Sequence, residues 1–317
     1  MIYTVTLNPA LDHIIETDGF NIGETNYYKN EYVVIGGKGI NVSIVLNNLE
    51  AEVLSTGILG SNNKDSFLEK FDENNLKNKF FINKGATRTN LKIKNLAKLE
   101  ETELNGLGSA VSLEIINELK NFLKENLQSG DILVAAGSIP AGVENNIYEE
   151  IGNIANEKNV IFILDTSKVS MLKGLKSKPY LIKPNVQEIC EILNLPFKKY
   201  SFNEICEMVK QLKALGAQNI LLSSGSKGSY FFAENGSIYE AGIAKGKLVN
   251  SVGSGDSMIA GFTYGLYKNL AVEECLQYGA AAGGATAFTE WLGLKNDILN
   301  LKNQISVKKI NRRQIWN

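Results

Sequence analysis

Asp256 directly follows Gly253-Ser254-Gly255, and an apolar run from Met258 to Phe262 starts just beyond it. Glycines allow consecutive backbone N–H groups to point into one concavity, and a helix beginning there adds the positive end of its dipole. Such a turn holds an anion. A carboxylate beside it would repel phosphate, unless it takes a proton from an attacking hydroxyl while the amides stabilise a transferring phosphoryl group. Asp is equally at home as a helix cap, and this stretch by itself fits both roles.

Other chemistry-bearing residues fall where predicted strands end. Asp12, Asp165, Lys183, Asn185, Glu188 and Ser223 each lie at or just past such an end. In a parallel sheet the carboxyl ends lie together, so these side chains can share a cleft with Asp256. Singly each has a plainer reading: Asp165 suits a helix N-cap and Glu188 a solvated helix position. Together they offer oxygen ligands suited to Mg²⁺, directly or through water. Before the tail the chain uses arginine once, at Arg88, amid abundant lysine. A planar fork for phosphate is the task lysine does poorly, so Arg88 is either a phosphate grip or a surface residue of its strand. Lys38 sits within Gly36-Gly37-Lys38-Gly39, where its ammonium either reaches the same anion or keeps a loop soluble.

The elements that must position these groups alternate as strand and helix. Residues 2–7 and 52–60 read as strands and 40–49 and 64–76 as helices. Regular helix–strand alternation then runs from Ser112 to Ser223. That rhythm predicts an α/β three-layer sandwich with a mostly parallel central sheet. Residues 13–35, 88–94 and 99–104 instead read as short half-polar strands without crossover helices, predicting a small antiparallel sheet outside the main one. The expected division is an α/β domain of residues 1–12, 36–87 and 105–317 with a β lid of residues 13–35 and 88–104. Residues 230–232 and 237–240 read as a hairpin, 273–288 as a small-residue helix, and the tail with Lys308, Lys309, Arg312 and Arg313 as a solvated end.

Composition narrows the function class. A net charge of −1 gives no field that draws the chain to nucleic acid or an anionic membrane, which leaves a small molecule as the expected partner. No apolar run approaches a membrane span, and no secretory leader is recognisable, so the cytoplasm is the expected location. The three cysteines, Cys190, Cys206 and Cys275, are far apart and read as free thiols. His13 is the sole histidine, which argues against most histidine-based metal sites. No Gly-x-x-x-x-Gly-Lys-Ser/Thr loop occurs, and Met258 stands where a dinucleotide fingerprint needs its third glycine.

Gly36-Gly37-Lys38-Gly39-Ile40-Asn41 and Asn250-Ser251-Val252-Gly253-Ser254-Gly255-Asp256 resemble the two signatures of the PfkB, ribokinase-like sugar kinases, in order and at the family's separation. The similarity spans nearly the whole chain. The opening Ile2 to Asp12, Thr102 to Gly106, Leu181 to Asn185 and Gly246 to Gly253 look most like bacterial members that phosphorylate fructose 1-phosphate at its 6-hydroxyl. Tagatose-6-phosphate kinases share most of these stretches, and a non-catalytic sugar-phosphate-binding regulator is a further reading. The resemblance implies Asp256 as catalytic base, with Gly253, Ser254 and Gly255 as the anion hole. It implies that Asp12, Gly37, Lys38, Asn41, Arg88 and Asn105 bind a sugar phosphate. Lys183, Asn185, Ser223, Gly225 and Gly228 would line the ATP side, with Asp165 more distant, and Glu188 with Asn185 would organise Mg²⁺ through water. Lids in this family often pair two subunits, so a homodimer through the β lid is expected. The chain departs from these relatives at Tyr27, where they tend to carry arginine, at Ile35, where they carry proline, and at Trp291-Leu292, near the expected adenine position.

Overall fold

Successive residues of Ile2–Thr6 (β1) face opposite cores: Ile2 packs on one side of the sheet, Tyr3 and Val5 on the other. This period-two alternation, with both faces buried, is what a strand between two helical layers requires. The computed structural model describes residues 1–98 and 100–310.

From β1 the chain leaves to form Ala10–Thr17 (β2) and Asn30–Gly36 (β3), then returns through Lys38–Asn48 (α1), Val53–Gly60 (β4), Lys64–Glu73 (α2) and Asn78–Asn83 (β5). A second excursion makes Arg88–Asn95 (β6) and Glu100–Asn105 (β7). Then follow Leu113–Asn126 (α3), Ile132–Ala136 (β8), Ile147–Glu157 (α4), Ile161–Asp165 (β9), Lys168–Gly174 (α5), Leu181–Ile182 (β10), Val186–Leu193 (α6) and Phe202–Leu215 (α7). The chain closes with Asn219–Ser223 (β11), Ser229–Phe232 (β12), Ile238–Ala241 (β13), Ser254–Tyr267 (α8), Val272–Ala287 (α9), Lys295–Lys302 (α10) and Val307–Ile310 (β14).

The main sheet has ten strands in the order β14-β13-β12-β11-β10-β9-β8-β1-β4-β5, parallel from β11 to β5 and antiparallel from β11 to β14. Helices α1, α2, α8, α9 and α10 fill one core and α3 to α7 the other, so the predicted three-layer sandwich is the fold. Leu46 and Leu123 are fully buried, one in each core, and truncating either to Ala would cost about 2–5 kcal/mol. Helices α8 and α9 meet through small residues. A Cβ at Gly261 would strike the Tyr278 backbone and one at Gly265 would strike Cys275, so a larger residue at either position would force the helices apart.

The small sheet has four strands in the order β3-β2-β6-β7. Its outer pairs are antiparallel as expected, but β2 and β6 run parallel, because the two excursions leave the main sheet in the same direction at separate points. Strand β2 begins at Ala10, which places Asp12 on the small sheet rather than in a turn after β1. The segment read as a solvated tail is also corrected: residues 307–310 pair with β13, with Lys308 and Lys309 exposed on an edge strand, where charge discourages further pairing. Leu99, Arg312 and Arg313 lie outside the described residues.

Candidate active site

Two helices begin at glycines whose backbones other residues rarely adopt, Gly37 (φ 126°) before α1 and Gly253 (φ 78°) before α8. One turn into α1, Asn41 Nδ2 donates to Asp256 Oδ2 at 2.8 Å, tying the two helix starts together. Behind them lie the carboxyl ends of β9 and β10. Asp165, the last residue of β9, accepts from Lys38 Nζ at 3.1 Å and has Lys183 Nζ 4.0 Å from its other oxygen. A Cβ at Gly255 would lie 3.0 Å from Lys183 Nζ, so glycine there lets the lysine approach the backbone.

Asp256 is 8 % exposed. Burial pushes its carboxyl up to about 6 and the neighbouring Asp165 charge adds to the rise, while Lys38, the Asn41 bond and Lys183 hold it back. A carboxyl so placed is mostly ionised at neutral pH, yet basic enough to take a proton. Lys38 is also driven up, by the Asp165 charge, well above the ordinary lysine range, and stays charged.

The amides at the start of α8 divide. Ser254 N–H donates to Ser251 O at 3.2 Å, so the anion cradle expected at Gly253, Ser254 and Gly255 does not include that amide. Among the described residues the amides of Gly253, Gly255 and Asp256 make no hydrogen bond. The Ser254 hydroxyl is buried without a partner at the same spot, leaving a polar group to meet a ligand. Beside it opens a cavity of about 660 Å³, walled by Ser223, Gly225, Gly228, Ser254 and Gly255 on its polar side and by Leu248, Met258, Ala280 and Phe288 on its apolar side. That size and mixture suit a nucleotide. Trp291 lies outside this wall, packed on the core, while Leu292 reaches under Gly253.

Asn185 and Glu188 bond to each other as the cap of α6: Asn185 Oδ1 accepts from Glu188 N–H at 2.9 Å and Glu188 Oε2 accepts from Asn185 N–H at 2.8 Å. One oxygen of Glu188 is thereby committed. No group of three acidic, Cys or His side chains suited to hold a metal occurs among the described residues. The donor set fits a divalent ion that arrives on nucleotide phosphates and keeps its waters, rather than one held in an all-protein cage.

On the small sheet, Asp12 is also 8 % exposed and accepts from Asn90 Nδ2 at 2.7 Å, with Lys92 Nζ 3.2 Å from its other oxygen. A Cβ at Gly36 would lie 2.8 Å from Asp12 Oδ2, so the first glycine loop runs directly alongside this carboxylate. Arg88 donates from Nε to Pro9 O at 3.3 Å and from Nη2 to Asn8 O at 3.1 Å, fixing its fork at the β1–β2 junction. Asn105 is exposed and bonds only Glu103, at 3.4 Å, reaching the site no further than its place in the row Asp12, Asn90, Asn105. Tyr27 is 84 % exposed and Ile35 is buried. Asn90 and Lys92 are absent from the sequence reading. The alternation Arg88-x-Asn90-x-Lys92, which puts all three on one face of a strand, is the signal that identifies them.

The pfkB family carbohydrate kinase model matches residues 5–294. A 1-phosphofructokinase of Bacillus subtilis (strain 168) is 38% identical over 312 residues, covering 98% of this chain and 100% of that protein. A tagatose-6-phosphate kinase of Staphylococcus epidermidis is 33% identical over 302 residues, covering 92% of this chain and 94% of that protein. Among solved structures, phosphofructokinase-2 from Escherichia coli in complex with fructose-6-phosphate superposes with a TM-score of 0.88 at 24% identity, covering 96% of this chain and 98% of that one, a likeness of fold.

Proposed function

The chain belongs to the pfkB family of carbohydrate kinases, and from that premise we propose that it moves the γ-phosphoryl group of ATP onto the 6-hydroxyl of fructose 1-phosphate, giving fructose 1,6-bisphosphate and ADP. The observation that carries the chemistry is Asp256, a buried carboxylate held by Asn41 beside unbonded amides at a helix start. As the sugar O6 attacks the γ-phosphorus, its proton passes to Asp256. The bond from that phosphorus to the β–γ bridging oxygen breaks, and ADP leaves. The amides of Gly253, Gly255 and Asp256, with the α8 dipole, stabilise the charge spread over the transferring group. Lys38 and Lys183 add positive charge at the same end. Mg²⁺ bound to the nucleotide would neutralise phosphate charge, with Glu188, Asn185 and Asp165 facing its water shell.

Asp12, Gly37, Asn41 and Arg88 are assigned to the sugar phosphate, the small sheet acting as a lid that excludes water from the transfer. Its other face carries exposed Val33 and Leu104 in one cross-strand row, and a second copy of the chain covering that row gives a homodimer. No helix among the described residues is long and apolar enough to cross a membrane, and Cys190, Cys206 and Cys275 are unpaired, in keeping with a cytoplasmic enzyme.

The Staphylococcus epidermidis relative supports a second reading, tagatose-6-phosphate kinase, with the same machinery and a different sugar. A coupled ADP-release assay against fructose 1-phosphate, tagatose 6-phosphate, fructose 6-phosphate and ribose decides the matter. The highest kcat/KM is expected for fructose 1-phosphate. A clear preference for another sugar overturns the substrate assignment, and no ADP release with any of them leaves a non-catalytic sugar-phosphate binder.

A further inference from the structure

The small sheet brings a second cation to the sugar-phosphate side. Register pairs Ala10 with Arg88, Asp12 with Asn90, and Ile14 with Lys92 across β2 and β6, then Lys92 with Glu103 across β7. Residues directly opposite one another, and those two apart on a strand, share a face, so Arg88, Asn90, Lys92 and Asp12 all project the same way. Lys92 is 8 % exposed, unusual burial for a lysine. Its ammonium lies 3.2 Å from Asp12 Oδ2 and 3.7 Å from Glu103 Oε1. Two residues back on the same face, Asn90 Oδ1 is buried without a hydrogen-bond partner.

The charges on this face present a difficulty for the proposed substrate. A sugar phosphate brings a dianion to a surface that already holds the buried Asp12 carboxylate, and Arg88 feels that carboxylate's charge. If Arg88 alone answered Asp12, little of its charge would remain for phosphate. We propose that Lys92 is a positioning residue for the sugar-phosphate site: it holds and balances the Asp12 carboxylate, which leaves the Arg88 guanidinium to the substrate's phosphate. Asn90 fixes the other Asp12 oxygen, so the carboxylate presents its remaining lone pairs to the sugar hydroxyls in one orientation.

This inference rests on the kinase reading, and the test separates the two. Wild type, Lys92→Met, Lys92→Gln and Lys92→Arg are compared by steady-state kinetics with fructose 1-phosphate and ATP, alongside thermal melting. Loss of the charge in Met and Gln is expected to raise KM for fructose 1-phosphate about tenfold to a hundredfold, with kcat and KM for ATP within about threefold. Arg is expected to restore KM to within about threefold. Asn90→Asp, which sets a second carboxylate beside Asp12, is expected to raise the same KM and gives an independent reading should the neutral variants fail to fold. An unchanged KM in the folded neutral variants, a loss confined to kcat, or an Arg variant as impaired as Met overturns the proposal. A wild-type protein inactive on fructose 1-phosphate overturns the substrate reading instead.

Discussion

Asp256 and Asp12 are each 8 % exposed, yet their surroundings suit them to opposite tasks. Asp256 receives one amide hydrogen bond, from Asn41, and has the Asp165 charge nearby, with lysines at a remove. Its ionised form is poorly supported, which is the condition for accepting a proton. Asp12 receives an amide from Asn90 and faces an ammonium at 3.2 Å. Its charge is answered directly, which suits a fixed hydrogen-bond acceptor. The same side chain at the same exposure sits in two different settings, one beside another carboxylate and one beside an ammonium, and the roles proposed for the two follow that difference.

The largest effect expected from breaking this contrast is on turnover. Asp256→Asn keeps the shape and the Asn41 contact but removes the base, and should lower kcat about a hundredfold to ten-thousandfold in the ADP-release assay, with KM for either substrate little changed. The same substitution should stabilise the fold. Because burial raises the carboxyl from 3.8 to about 6, its neutral form is favoured in the folded chain and ionisation weakens folding as pH rises through that range. A neutral amide avoids a penalty of roughly 3 kcal/mol at pH 7 to 8, an advantage that should fade below about pH 4, where the Asp256 carboxyl is protonated in the folded and unfolded chain alike. Denaturant melts at pH 7.5 and pH 4 read that difference, and equal stability at the higher pH would contradict the assigned environment. A smaller change is expected at the anchoring end. Arg88→Lys keeps the charge but loses the fork that donates to Asn8 O and Pro9 O, and should raise KM for fructose 1-phosphate about tenfold with kcat within about threefold.

How much of this was legible in the sequence follows from how local each feature is. The glycine loops before α1 and α8 announce themselves because positive φ and close approach leave glycine as the residue that fits. The alternation of strands and helices predicts the layers, since the central parallel strands such as Ile132–Ala136 and Ile161–Asp165 are almost wholly apolar and buried. Strand β5 and helix α5 escape such a reading: Asn78–Asn83 has polar ends at the edge of the sheet, and Lys168–Gly174 is barely two turns long. Strand β14 is missed because two of its four residues are lysines, which look like a solvated tail until β13 supplies a partner. The parallel pairing of β2 with β6 joins residues some 78 positions apart, as between Asp12 and Asn90, and no local pattern encodes it. Local alternation puts Lys92 on one face with Arg88 and Asn90, but its approach to Asp12 comes from that distant pairing. Ser254 shows the converse, a residue whose place was legible while the use of its amide in a turn was not.

If Asp256 is the base, its proton affinity is set by burial and by the charges of Asp165, Lys38 and Lys183 around it. The pH dependence of kcat/KM for fructose 1-phosphate measures this most directly, in the wild type and in Lys38→Met. An acid limb with a midpoint near 6 is expected in the wild type. In Lys38→Met, which removes a charge that favours the ionised carboxylate, the limb should move to higher pH. A profile flat from pH 5 to 8, or a limb that stays in place without Lys38, would contradict it.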